Sequence, residues 1–363
     1  MSRKRNYFDR KTTDILKGVA IIFMFALHFF TLPELLAENN PHAYPAFFHT
    51  VLNRIFEMCV TIFAFITGYC YVFTKKKSIG YSLKKATDLW VNYFVFFVLL
   101  LIPAVILKCW DGSATNFLLE AFALKRPTMT FCWYVVFYVI CMLLLPLYHL
   151  AAKKHILAAI ILGIIVPSAA QAVYQDLFYI NNAIVSDILY HFFTWLPCIV
   201  VGYICAEYEL FYRCMDFLFK KGINSKALQY IIYLCAAAIG LAGRYLLPEV
   251  HFSISAVTIR FSMDMVYTPL FVYGLINLVD LFPWKKIWTP IALLGKHSMG
   301  MWFVHCIFFN SCKEYTQTIL YFPNNPILIL LWGLLLCLAA AFVITKGTGV
   351  LVKWKNRLLF KKL

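Results

Sequence analysis

Residues 14–30 read DILKGVAIIFMFALHFF, which places Lys17 and His28 eleven residues apart in an apolar run. Ionisable groups are expensive in hydrocarbon, and one retained there marks a candidate site. On a helix that spacing returns the side chains to nearly one face, ~20° apart and about 16 Å along the axis. One face would then carry a cation near one end and an imidazole deep toward the other, as a polar path across a membrane requires. An imidazole exchanges protons near pH 7, so His28 is a candidate acid–base group. Plainer roles are also open. Lys17 can pair with Asp14 one turn away and snorkel to the interface. His28 can hydrogen-bond a neighbouring helix.

The elements that must hold these residues are membrane helices. The chain of 363 residues is 62% hydrophobic and 14% charged, with a mean hydropathy of +0.75. A soluble chain needs about a quarter charged residues. Ten apolar stretches of roughly 20 residues are expected to span: 13–32, 55–74, 87–107, 131–151, 156–174, 189–207, 227–246, 262–282, 290–310 and 326–345. Hydrocarbon offers backbone groups no partner, so the spans must be helical. The predicted fold is an all-α polytopic bundle of about ten helices.

Between alternate spans the 33 lysines and arginines divide 26 to 7. The positive-inside rule then puts both chain ends in the cytoplasm. The same rule accounts for the net charge of +16 as orientation signals and contacts to anionic lipids, with no nucleic-acid partner expected. The N-terminal apolar run is long and followed by further spans, unlike a cleavable signal peptide. The 12 cysteines are scattered singly, without the spacing of a zinc or disulfide framework, and no metal is expected. A single membrane domain is expected over 1–363. Residues 1–12 and a basic tail, 346–363, would lie on the cytoplasmic side.

Five motifs recur in order. Asp14-x2-Lys17-Gly18 with His28 opens the first span. Phe63-Ala-Phe-Ile-Thr67-Gly68-Tyr69 lies in the second, and Trp133-Tyr134, followed by Pro146, in the fourth. Trp195-x-Pro197-x4-Gly202-Tyr203 follows, then Gly295-Lys-His-Ser298-Met-Gly-Met-Trp302-Phe-Val-His305. Together they resemble the acyltransferase-3 family of membrane acyltransferases. Lys17 stands where that family usually has arginine, and Thr67 where it has serine. Lys84-Lys85-Ala-Thr-Asp88 puts an acid where a second base is the pattern.

The resemblance implies transfer of an acyl group, commonly acetyl from acetyl-CoA or another acyl-CoA, to hydroxyls of cell-surface or exported glycans. The site would be a bacterial cell membrane. Lys17, Lys84, Lys85, Ser298 and His305 would face the donor, whose phosphates suit lysine point charges. Thr67, Trp133 and Tyr134 would face the acceptor. His28 would act as general base or as a transient nucleophile, and both remain open. Glu57 is the expected orienting acid, with Asp264 its rival. The outer loop 33–54, with Glu34, Glu38, His42, Tyr44 and His49, would help shape the acceptor site. Some relatives carry an appended hydrolase-like domain; none is expected after the tenth span. A competing reading from the same bundle is an exporter of glycans or lipid-linked sugars without covalent chemistry, and a membrane sensor is a third. No motif names the acceptor, the acyl chain or the oligomeric state.

Overall fold

A computed structural model describes residues 6–32, 48–110, 112–176, 182–254, 257–282 and 285–361. Most of the expected loop 33–54 therefore lies outside the described residues. The bundle comprises α1 (Arg10–Thr31), α2 (Thr50–Val72), α3 (Ile79–Ile106), α4 (Trp133–Ala152), α5 (Ile156–Gln175), α6 (Ala183–Glu207) and α7 (Lys226–Leu246). It continues with α8 (Asp264–Leu281), α9 (Trp288–Lys296), α10 (Ser298–His305) and α11 (Pro326–Leu359). Among the described residues, α1 to α7 and α11 are the eight helices long and apolar enough to cross a membrane. The short helices α9 and α10, bent by 68° at their junction, pass the same test only as a pair, as a broken span or a re-entrant loop. Helix α8 fills the eighth expected span, 262–282, with 18 residues, including Asp264, Asn277 and Asp280.

Helix starts follow from local chemistry. Asp9 accepts from the Thr12 amide at 2.6 Å ahead of α1, and Ser78 accepts from the Tyr81 amide at 3.2 Å ahead of α3. Asn325 caps α11, which begins on Pro326. Each satisfies an amide that has no partner within the helix.

Two features depart from the expected plan. Strands β1 (Glu249–Ile254) and β2 (Val257–Ser262) pair antiparallel between α7 and α8, with Glu249 opposite Ser262. Their β-branched and aromatic residues favour strand over helix. The basic tail expected from residue 346 is helical as far as Leu359, an extension of α11 beyond the span expected over 326–345. Nothing in 346–359 breaks a helix except two glycines, Gly347 and Gly349.

Four motif glycines explain how the spans lock together. A Cβ on Gly68 would strike the Ile199 carbonyl of α6, and a Cβ on Gly202 would strike the Phe65 carbonyl of α2. In the same way Gly18 abuts the Ile291 carbonyl of α9, and Gly295 abuts the Asp14 carbonyl of α1. The motifs are thus two interlocked helix pairs in which backbone touches backbone. Dispersion at such close approaches drives membrane helix association, because burying apolar surface from lipid yields little. Gly68→Val should therefore lower the stability of the detergent-solubilised protein by at least about 1–3 kcal/mol, the usual cost of overpacking, read as a fall in Tm. Gly347→Ala, where a Cβ meets open space, should leave Tm unchanged or slightly raised.

Candidate active site

A cavity of about 390 Å³ runs between α1, α2, α3, α4 and α10. At one end it is lined by Lys17, Lys85, Asp88 and Ser298, and at the other by His28, Phe131 and Trp133. Thr67, Asn92, Tyr134 and Trp302 lie along its walls, with apolar Met24, Leu27, Val60 and Phe63. Lys17 and His28 thus open onto one space, as their spacing implied.

His28 sits in a π-helical turn, Leu27–Thr31, that ends α1. Such single turns recur at functional sites. The ring is 8% exposed, and its Nδ1 lies 2.9 Å from Nε2 of His305. Nδ1 of His305 meets the Trp302 carbonyl in turn. A carbonyl only accepts, so His305 Nδ1 carries the proton. With both rings neutral, His305 Nε2 must then accept, and His28 Nδ1 must donate. The remaining nitrogen, His28 Nε2, keeps its lone pair. His28 lines the cavity while the fully buried His305 does not, so with Nδ1 bound to His305 the lone pair left for a ligand is that of Nε2. Phe131 stacks on the His28 ring at 3.7 Å between centroids, 10° from parallel.

The segment before α4 is what brings Phe131 there. The buried carboxylate of Glu120 accepts from Trp110 Nε1 at 3.0 Å and from the Thr128 amide at 2.9 Å. Thr130 donates to the Phe309 carbonyl at 3.1 Å, and Trp302 Nε1 donates to the Phe131 carbonyl at 3.3 Å. Trp302 thus ties both partners of His28, His305 through its carbonyl and Phe131 through its indole.

At the opposite end Lys17 pairs with Asp14 at 3.8 Å while still reaching the cavity. Asp88 is held by Lys355 at 2.6 Å and by Asn356 at 3.0 Å, both from the last turns of α11. Asn92 donates to the Asp88 carbonyl at 2.7 Å. The acid found where a second base was the pattern is therefore matched by a lysine from a distant helix. Lys85 lines the cavity. Lys84 is not in its wall and offers its carbonyl to Lys355 at 3.5 Å. The start of α1 and the end of α11 lie together at this lysine-rich end.

A family profile described as an acyltransferase domain matches residues 11–346, from the start of α1 into α11. The chain belongs to the acyltransferase-3 family. No curated protein and no solved structure matches it. As a member of this family it is a multi-pass membrane acyltransferase, using an acyl donor and an acceptor, and its profile spans both ends of the cavity.

The other expected site residues of this acyltransferase fall in three places. Ser298, Thr67, Trp133 and Tyr134 all line the cavity, although the Thr67 hydroxyl donates to the Phe63 carbonyl at 2.9 Å. Trp133 stacks on His191 at 4.0 Å, and His191 and Arg126 converge on Asp187, with Arg126 at 2.7 Å. His305, expected along the donor path, lies instead behind His28. Glu57, expected to orient His28, is outside the cavity wall and bound to Arg244 at 2.8 Å. Its rival Asp264 is bound to the same arginine, also at 2.8 Å. Sequence reading missed Phe131, Asn92 and Lys355. Asn92 alone carried a signal, as an amide in an apolar run.

Arg244 and Asp264 are both buried, and breaking a buried pair by removing one partner costs about 3–5 kcal/mol. Arg244→Met should therefore lower Tm sharply in thermal unfolding of the purified protein. Asp264→Asn added to that variant should recover much of the loss, because it removes the stranded charge.

Proposed function

We propose that this acyltransferase takes an acyl group, acetyl being the expected one, from a cytoplasmic acyl-CoA to a hydroxyl of a cell-surface or exported glycan. The observation that supports this best is a single cavity lined by lysines at one end and, at the other, by an imidazole whose Nδ1 is taken by His305 and whose Nε2 is left for a ligand. The lysine-rich end corresponds to the cytoplasm under the positive-inside rule. There Lys17 and Lys85 supply point charges for the phosphates of the donor. The apolar wall formed by Met24, Leu27, Val60 and Phe63 suits the uncharged arm that carries the thioester inward. Trp133 and Tyr134 offer ring faces to the acceptor at the far end.

In the chemical step His28 Nε2 removes the proton of the acceptor hydroxyl as its oxygen attacks the thioester carbonyl. The new C–O bond forms and the C–S bond breaks. The proton on Nε2 then passes to the departing thiolate, which leaves as free CoA. The imidazolium formed in between keeps its Nδ1–H bond to His305 and lies against the face of Phe131, where a ring quadrupole favours a cation. Direct base catalysis uses the nitrogen that the His305 contact leaves open. His305 itself is a positioning residue, because it touches His28 and not the cavity.

His28→Ala should reduce acyl transfer by at least the 10²–10⁴-fold typical of a lost general base, with membrane abundance retained. Transfer is measured as acyl-CoA consumption by protein in lipid nanodiscs, and as the acyl mass increment on surface glycans from cells carrying the gene. Undiminished acylation in that variant removes the mechanism. His305→Gln, which keeps an acceptor for Nδ1–H, should retain more activity than His305→Phe, which has none.

A further inference from the structure

A second cavity of about 220 Å³ lies on the other flank of α6, far larger than the roughly 30 Å³ of one liquid water. The first half of α6 separates the two spaces. His191 and Trp195 turn toward Trp133, a wall residue of the first cavity. Tyr190, Phe193, Thr194 and Pro197 line the second. The two cavities share one end of the bundle, since Trp133 follows closely on the Phe131 that stacks under His28. Residues Ser168, Gln171 and Gln175 of α5 form the facing wall, and Ser262, Arg260 and Glu249 of the β-hairpin stand over it.

The chemistry of this wall differs from that of the first cavity. Gln171 Nε2 donates to Thr194 Oγ1 at 3.1 Å, and Arg260 donates to Gln175 Oε1 at 2.8 Å. These bonds hold the groups in place and use only part of what they offer. Each amide keeps further donor and acceptor capacity, and the Thr194 hydroxyl can still donate. One cation, Arg260, is matched by one anion, Glu249, so the site favours no ligand charge. Tyr190 and Phe193 add ring surface. Hydroxyls that both give and accept hydrogen bonds, with C–H faces to lay on aromatic rings, are the properties of a neutral sugar. An anionic lipid headgroup would instead call for an excess of cations.

We propose that this cavity is a subsite for one neutral sugar unit of the acceptor, on the far side of α6 from the cavity that holds His28. The proposal rests on the reading that the acceptor is a glycan, and it makes recognition extend beyond the hydroxyl that is acylated.

The test uses the full chain in detergent, with maltotetraose and chitotetraose as neutral probes and saturation-transfer NMR as the readout. At least one probe should bind, and both Gln171→Leu and Thr194→Val should weaken it at least tenfold. The two substitutions lie on different helices, so if one variant fails to fold the other decides. No binding of either probe to the unaltered chain overturns the subsite, as does binding that a folded variant leaves unchanged. Acyl-CoA consumption by the same preparations separates this proposal from the one it rests on. Sugar binding through these residues with no consumption keeps the subsite and sinks acyl transfer; consumption without sugar binding does the reverse.

Discussion

An imidazole lodged among apolar helices must have its polar edge satisfied, because a lost hydrogen bond is costly where water is excluded. Here the partner of His28 is His305, and the partner of His305 is the Trp302 carbonyl. That chain of two bonds decides which ring nitrogen carries a proton and which stays open. It also demands that the π turn of α1 and the end of α10 meet within hydrogen-bonding distance. The close contact of α1 with α9, allowed by Gly18 and Gly295, and the break between α9 and α10 serve that meeting.

The two ends of the cavity are held by different physics. Around His28 the contacts are stacked rings and neutral hydrogen bonds, with Phe131 kept in place by Thr130 and Trp302. At the lysine-rich end they are ionic: Asp88 is gripped by Lys355 and Asn356 while Lys17 and Lys85 face the opening. Under the function proposed above, the ionic mouth would take the donor's phosphates and the mostly neutral, aromatic end the sugar. The buried pair of Arg244 and Asp264, joined by the half-exposed Glu57, lies apart from both and ties α2, α7 and α8 together.

Much of the plan was legible in the residues. The helical spans followed from hydropathy, since lipid permits few alternatives to a helix. Lys17 and His28 declared themselves as ionisable groups on one face of an apolar run. The five motifs carried the family, and the structure shows why four of their glycines matter: no side chain fits where two backbones touch. Glu57, expected beside His28, binds Arg244 in the structure, because depth along a helix is legible in sequence and rotation about it is not. His305 was read with Ser298, seven residues away on the same helix, but its ring meets His28, a contact between helices that spacing within one helix does not reveal. The basic run after residue 346 gave no sign of its partner, because α11 carries Lys355 on as helix to meet Asp88, a residue far away in the chain.

Length, hydropathy and the distribution of charge determined by themselves that this chain is a helical membrane bundle, and the ordered motifs determined its family. These are local properties, readable along one strand of residues. Which nitrogen of His28 is open, which acid Lys355 neutralises and where a second polar cavity forms were decided only by tertiary structure. Each depends on side chains up to 277 residues apart being brought together at one depth and one rotation. Spacing along a single helix does not specify either.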